Sequence, residues 1–224
     1  MAAAKLVHDG MIVGLGSGTT VAKVIGALSQ LKPKATFIAS SSSSQRLADD
    51  LGLNLSSLDV HGRLDLTIDG ADEVDPNFDM IKGHGGAHTR EKIVADAAKR
   101  VAIVVDRTKL VRKLGEKFPV PVEVLPFVPK YTMNKLSELG GQPALKMAAN
   151  GAPFVTDNGN YLVNVKFSKI SSPAKLEQQI NSLPGVIDNG IFAGVADVLL
   201  VGYEGGCKIL RDRKSFLKFL STQK

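Results

Sequence analysis

Residues 81–92 read IKGHGGAHTREK. Twelve positions hold three glycines, two histidines, two lysines, an arginine and a glutamate. Three chemistries suit that mixture: a metal site, a phosphate cradle, or a loop that delivers a catalytic base. His84 and His88 lie four apart with Glu91 nearby, and on a helix i and i+4 share a face, as metal ligands do. That spacing counts only on a helix. His84 stands among Gly83, Gly85 and Gly86, ahead of Thr89, the residue expected to cap the helix. A surface or substrate-lining role therefore ranks above metal for both histidines. Lys82 opens the glycine loop and can point inward. Glu91 falls in the first helical turn, where a carboxylate is also at home as a charge–dipole contact worth about 0.3–1 kcal/mol.

Two other stretches carry chemistry. In TIDGADEVD, residues 67–75, a strand-like run leads into Asp69, Asp72, Glu73 and Asp75. Gly70 and Ala71 are too small to shield the acids on either side. Two carboxylates near one small ligand, in unequal surroundings, are a common acid–base pair. A solvated turn or a cation site is the plainer use of such a cluster. In GLGSGTT, residues 14–20, glycines permit a tight strand-to-helix turn and a helix N-terminus offers N–H groups to an anion. Ser17, Thr19 and Thr20 flank Gly18 and add hydroxyls, which favours phosphate binding over an empty turn. The dinucleotide fingerprint is matched only in part, since Val21 takes the third glycine position. Ser40–Ser44 with Arg46 keeps an NADP phosphate open as an alternative.

The elements that must position these residues alternate through the first two-thirds of the chain. MIVGLG, ATFIAS, LDLTID and RVAIVVD read as strands. TTVAKVIGALSQL has Val21, Val24, Ile25 and Leu28 at helical spacing, and SSSQRLADDLGL opens on a serine cap and closes at Gly52. Ile93, Val94, Ala97 and Ala98 are the expected buried stripe of the helix after Thr89. Strands alternating with helices imply a parallel sheet with right-handed crossovers, and ligands then sit beyond the carboxyl ends of the strands. FPVPVEVLPFVP, with four prolines in twelve residues, reads as a linker or edge segment. DNGNYLVNVKF reads as a turn and an exposed strand, SPAKLEQQINSLPG as a capped helix, and ADVLLVGY as a strand rejoining the first sheet. The expected organisation is a parallel-sheet α/β domain, 1–126 plus 199–224, with a smaller α+β domain at 127–198 inserted before the last strand.

Of the 224 residues, 44% are apolar and 22% charged, an ordinary globular balance. No apolar run approaches the ~20 residues of a membrane span. MAAAKLVHDG is interrupted by His8 and Asp9 before a signal-peptide core can form, so a soluble, cytoplasmic protein is expected. One cysteine, Cys207, permits no intramolecular disulfide; it reads as a small residue near a sheet edge. The net charge of +6 comes from scattered Lys and Arg, with only 5% aromatics. Neither a basic stripe nor a stacking platform marks a nucleic-acid binder. A small anionic substrate suits the charge.

Taken together, GLGSGTT, DGADEVD, KGHGGAHTREKI, PVPVEV, DNGNYLV and LPGVIDNGIF resemble the ribose-5-phosphate isomerase family of the A type, in order and at close to its spacings. The resemblance covers nearly the whole chain. It implies an aldose–ketose isomerase that interconverts D-ribose 5-phosphate and D-ribulose 5-phosphate through an enediolate. It implies a Rossmann-like main domain, no metal, no organic cofactor, and assembly as a homodimer or homotetramer through the smaller domain; composition and charge add the expectation of no nucleic-acid or membrane partner. Carried onto this sequence, it makes Glu91 the base, with Asp69 and Lys82 as further catalytic groups. Substrate contacts fall to Ser17, Gly18, Thr19, Thr20, Asp69, Gly70, Ala71, Asp72, Lys82, Gly83, His84, Gly85 and Lys109. His84 stands where the family usually has a small residue, and His88 where it usually has leucine or similar. A non-catalytic sugar-phosphate sensor on the same fold and an NADP-linked oxidoreductase are the alternative readings.

Overall fold

The computed structural model of the chain describes residues 1–221. In chain order its main elements are β1 (Ile12–Leu15), α1 (Gly18–Leu31), β2 (Thr36–Ala39), α2 (Ser42–Asp50), α3 (Leu58–His61), β3 (Leu66–Asp69), β4 (Glu73–Val74), β5 (Met80–Ile81) and α4 (His88–Asp96). Then follow β6 (Val101–Asp106), β7 (Val120–Val124), α5 (Pro129–Glu138), β8 (Gly141–Leu145), β9 (Tyr161–Phe167), α6 (Pro173–Asn181), β10 (Val186–Asn189), β11 (Ile191–Phe192), β12 (Val198–Tyr203), β13 (Gly206–Leu210) and α7 (Arg213–Ser221). The chain divides into two units. Met1–Ala71, Arg90–Leu110 and the chain from Val195 onward form one; Asp72–Thr89 and Val111–Gly194 form the other.

The first unit is built on a six-stranded sheet, β13-β12-β6-β3-β1-β2, parallel except for β13, which pairs antiparallel with β12. Both faces are covered. Val13 and Leu15 of β1 pack with Val21, Val24, Ile25 and Leu28 of α1, the stripe expected from the sequence. Ile38, Leu64 and Val94 form a second cluster, with Ile12 and Leu58 against it. A Cβ on Gly14 would sit 2.5 Å from a Val94 methyl and 2.6 Å from the Thr67 hydroxyl, so the glycine is what lets α4 lie against the sheet. From β1 the chain steps to β2 on one side, then returns to β3 on the other. The order therefore reverses between β1 and β3, the switch point at which open α/β sheets bind ligands. The loops leaving those two strands carry residues 16–20 and 69–72.

The second unit holds a four-stranded antiparallel sheet, β10-β7-β9-β8, and a three-stranded one, β11-β5-β4. Val120, Val122, Val124, Leu136, Val163, Val165 and Ile180 share its core. Two expectations are corrected here. The proline-rich segment is no edge or linker: β7 lies between β10 and β9 with all five residues buried. Nor is β9 exposed, since Leu162, Val163 and Val165 are fully buried between β7 and β8. Residues 72–89 and 111–126 cluster with this unit rather than with the Rossmann-like part, because β4 and β5 complete the sheet with β11 and β7 is an internal strand.

Helix α4 also differs from expectation. It begins at His88, one residue before the expected cap. Ile93 is 55% exposed, whereas Glu91, Val94 and Ala95 are buried. The buried stripe is rotated so that Glu91 lies on it. Strand β12 returns to the first sheet beside β6 as expected, and Cys207 is exposed on the edge strand β13. Among the described residues no helix is long and apolar enough to cross a membrane.

Asp65 ties the first sheet together at its other end. Its carboxylate accepts from the Ile12 amide at 3.0 Å and from Lys99 Nζ at 2.9 Å. The amide, then the lysine, hold the Asp65 carboxyl below the usual range. A folded-state pKa below the unfolded one gives stability that is present above the ordinary Asp value and lost as pH falls through the folded value. Asp65→Ala should therefore lower the melting temperature at neutral pH, with the gap to the parent closing below about pH 4. A gap that is constant between pH 7 and pH 3 would show that the ionised form contributes nothing.

Candidate active site

Ser17 draws three of the sequence motifs together. It is the N-cap of α1 in extended conformation, its hydroxyl makes no cap bond, and Gly18 follows at φ +88°. The Ser17 amide donates to Asp69 Oδ1 at 3.2 Å, and the Ser17 hydroxyl donates to Glu91 Oε1. Asp69 also accepts from the Gly70 amide at 2.7 Å. Both acids are 4% exposed. A surface charge that merely complements a helix dipole would stay in water; Glu91 is instead buried on a hydroxyl donor. Gly16 makes the approach possible. A Cβ there would overlap the Asp69 carboxylate, and the Gly16 carbonyl is braced by the Ser44 hydroxyl at 2.6 Å.

The serine run is turned toward the fold. Ser40, Ser41 and Ser44 are buried, and Ser41 caps α2 by accepting from the Ser44 amide at 3.1 Å. Sequence could not assign those serines between capping and a phosphate cradle. Beyond Ser17 the first turn of α1 opens out: Gly18 and Thr19 are exposed and Thr20 is half-buried. Thr19 and Thr20 line a hollow of about 340 Å³ with Lys23, Asp106, Gly202 and Cys207. Lys109 ends the short 3-10 turn after β6 and is half-buried.

The second unit holds the remaining candidates except Gly70 and Ala71, which close the first segment of the first unit. The Asp72 amide donates to the Ile81 carbonyl at 2.8 Å, and its Oδ2 accepts from the His84 amide at 3.0 Å. His84 is exposed, with its ring edge-on to Phe118 at 5.5 Å. Lys146, which no motif singled out, donates to the His84 carbonyl at 2.6 Å. Burial pushes the Lys146 amine down, against the pull of Asp72. His88 is corrected: it is fully buried and neither on the surface nor in a lining. Its ring occupies the space that a Cβ on Gly83, at φ +91°, would fill, and its Nε2 lies 3.3 Å from the Asp188 carbonyl. Gly85 is exposed, and Gly70 and Ala71 are half-buried. Among the described residues no three His, Cys, Asp or Glu side chains are grouped to hold a metal.

Lys82 is 3% exposed, with Nζ 5.2 Å from the Phe192 ring centre. Its backbone is fixed by a proline. The Pro121 carbonyl accepts from the Gly190 amide at 2.8 Å. A regular antiparallel pair would return a hydrogen to the Gly190 carbonyl, but proline has none to give. That carbonyl accepts from the Lys82 amide instead, at 2.8 Å. This explains how a proline is tolerated in an internal strand.

Several acids of this unit are structural. Glu73, fully buried, accepts from the amides of Gly115, Lys117 and Phe118. Asp75 accepts from the amides of Asn77 at 2.7 Å and Asp79 at 3.2 Å. Glu123 of β7 is fully buried and accepts from Thr89, Thr156, Asn158 and Asn160 side chains. Burial raises its pKa, but the Thr89, Asn160, Thr156 and Asn158 donors outweigh burial and hold it below the usual range.

Fold and side chains together define a Rossmann-like α/β protein with buried carboxylates at the switch point of its parallel sheet. Residues 36–206 match the sequence profile of ribose 5-phosphate isomerase A (phosphoriboisomerase A). Over 207 residues the chain is 49% identical to the ribose-5-phosphate isomerase A of Thermosynechococcus vestitus, covering 90% of this chain and 88% of that one. The chain belongs to the ribose 5-phosphate isomerase A family. It is similar to the solved structure of ribose 5-phosphate isomerase A from Methanocaldococcus jannaschii, with a TM-score of 0.89 and 40% identity over 94% of this chain and 95% of that one. It is equally similar to a D-ribose-5-phosphate isomerase solved in complex with phospho-erythronic acid, with a TM-score of 0.91 and 40% identity over 94% of each chain.

The proline-dependent seating of Lys82 is open to test. A Cβ on Gly190 would overlap the Lys82 carbonyl and come within 2.7 Å of the Pro121 ring. Gly190→Ala should destabilise the protein by about 1–3 kcal/mol, the usual cost of overpacking. Urea unfolding reads it directly, and an unchanged midpoint would remove this account of how Lys82 is held.

Proposed function

We propose that this chain interconverts D-ribose 5-phosphate and D-ribulose 5-phosphate through an enediolate, with Glu91 as the base at carbon. The observation that carries the reading is Ser17 bonded at once to Asp69 and Glu91. One residue holds two buried carboxylates at the switch point of the sheet. The phospho-erythronic acid held by a solved relative supports it, since a carboxylate beside a hydroxylated carbon has the flat, two-oxygen end of an enediolate.

The chemistry follows from the acidity of the substrate. A proton beside a carbonyl is removed only if the charge developing on oxygen is stabilised. Glu91 takes the proton from C2 of the open-chain aldose. The electron pair forms the C1–C2 double bond, and the charge passes to O1. Lys82 stabilises that oxyanion, Asp69 moves the proton between O2 and O1, and Glu91 returns its proton to C1 to give the ketose. Asp72 holds a hydroxyl and assists opening of the furanose. The phosphate is bound at the first turn of α1 by Gly18, Thr19 and Thr20 with Ser17 and Lys109, and this remote grip orients the reacting carbons. Gly70, Ala71, Gly83, His84 and Gly85 complete the substrate contacts. No step needs a metal or an organic cofactor.

The same reading makes this a cytoplasmic enzyme of the non-oxidative pentose phosphate pathway; the exposed lone thiol of Cys207 suits a reducing compartment. It assembles as a homodimer or homotetramer through the smaller domain, where Leu125, Phe127 and Tyr131 are exposed, Phe127 to 89%.

Glu91→Gln keeps size and helix position but cannot take a proton. It should lower kcat by about 10²–10⁴-fold while ribose 5-phosphate still binds, and exchange of the substrate C2 proton with D₂O should fall in step. A folded variant that exchanges at the parent rate would show that another group abstracts the proton, and a sensor or oxidoreductase reading would regain ground. At the phosphate, Thr20→Val and Lys109→Ala should chiefly raise KM, because remote contacts act in ground and transition states alike. An unchanged KM in both would move the phosphate elsewhere.

A further inference from the structure

Glu123 takes part in no step above, yet its placement bears on the base. It is fully buried, and the donors that the structure gives it are all neutral. Leaving an ionised carboxylate in such a place is costly unless its oxygens are filled. The two oxygens serve different elements. Oε1 accepts from Thr156 Oγ1 at 2.8 Å, Asn160 Nδ2 at 2.8 Å and Asn158 Nδ2 at 3.1 Å, all in the 156–160 turn. Oε2 accepts from the Thr89 hydroxyl, with Asn158 Nδ2 at 3.3 Å.

The turn also has hydrogen bonds of its own. The Thr156 amide donates to the Asn160 carbonyl at 2.8 Å and the Gly159 amide to the Thr156 carbonyl at 3.0 Å. The amides of Asn158 and Asn160 both donate to Thr156 Oγ1 at 3.2 Å. What Glu123 adds is the link from that turn to Thr89, the second residue of α4. Glu91 is the fourth, in the same helical turn.

We propose that Glu123 is a positioning residue for the base: by holding the Thr89 hydroxyl it fixes the first turn of α4 and with it the Glu91 carboxylate. This rests on Glu91 being the base. A carboxylate suits the task better than an amide, since it only accepts and has room for every donor around it. Rigid seating matters because a misplacement of ~1 Å can lower the rate about 100-fold.

Thr89→Val removes the link and keeps the shape, leaving Glu123 with Thr156, Asn158 and Asn160. It should lower kcat by about 10- to 100-fold, with KM within about twofold and C2-proton exchange falling in parallel. Thr89→Ser restores a hydroxyl and should recover most of kcat. Glu123→Gln should also lower kcat, and the double variant Thr89→Val/Glu123→Gln should lose little more than the worse single, as coupled partners do. A purely structural bond predicts lower melting temperatures but parent kcat per folded molecule. Parent kcat in folded Thr89→Val, or failure of Thr89→Ser to recover it, would overturn the proposal. Glu91→Gln run alongside separates the two readings: if it keeps exchange, the base assignment fails; if it loses exchange while Thr89→Val does not, only the role of Glu123 fails.

Discussion

Ser17 gives its amide hydrogen to Asp69 and its hydroxyl hydrogen to Glu91, and the architecture around the switch point serves that double donation. Two carboxylates at 4% exposure have left most of their water behind, so hydrogens must come from the protein. The donor has to stand at the end of β1, close beside the end of β3 and within reach of α4. Adjacent parallel pairing of β1 with β3 supplies the first condition. Two missing side chains supply the rest: Gly14 lets α4 settle on the sheet, and Gly16 lets the Asp69 carboxylate lie against the turn. The polar chemistry thus rests on packing, and a single methyl group at either glycine would push the partners apart.

The acids elsewhere show how differently one functional group is used. Glu73 is enclosed by backbone amides and pins the 115–118 loop, whose Phe118 meets the His84 ring. Asp75 closes a tight turn on itself. Glu123 is filled by hydroxyls and amides of other side chains. Asp72 accepts the His84 amide at the mouth of the glycine loop and is only half-buried. From the letters DGADEVD alone, Asp72, Glu73 and Asp75 are indistinguishable. Their roles separate once the partners of each are known.

Most of the first sheet was legible because its signals are local. The helical spacing of Val21, Val24, Ile25 and Leu28, the serine cap of α2 and the apolar strands are each set by neighbours in sequence. What escaped was set at long range. Pro121 argued against an internal strand, and only Gly190, 69 residues further on, removes the conflict by turning its carbonyl to Lys82. β9 read as exposed because its polar residues alternate with valines, but helices and neighbouring strands enclose it. On α4, Glu91 occupies a buried position that the pattern reserves for an apolar residue, and Ile93 of the expected stripe is exposed. His88 is expected on the surface or lining the substrate, yet the absent Cβ of Gly83 makes room for its ring in the interior. The candidate residues stand out by their types, whereas Lys146 lies in no motif, and Glu123 and Phe192, although within PVPVEV and LPGVIDNGIF, are marked out only by their contacts.

The lone thiol has a practical use. Cys207 is exposed on β13 and lines the same hollow as Thr19 and Thr20. A thiol-directed fluorophore would attach at one known place without any mutagenesis and report from beside the first turn of α1. Partial burial pushes the thiol pKa up, so the thiolate is scarce near neutrality and coupling is favoured by mildly alkaline buffer. Because the label shares that hollow, an anion bound at α1 would alter its emission or shield the thiol from the reagent, so the unmutated protein can be tested as its own binding sensor.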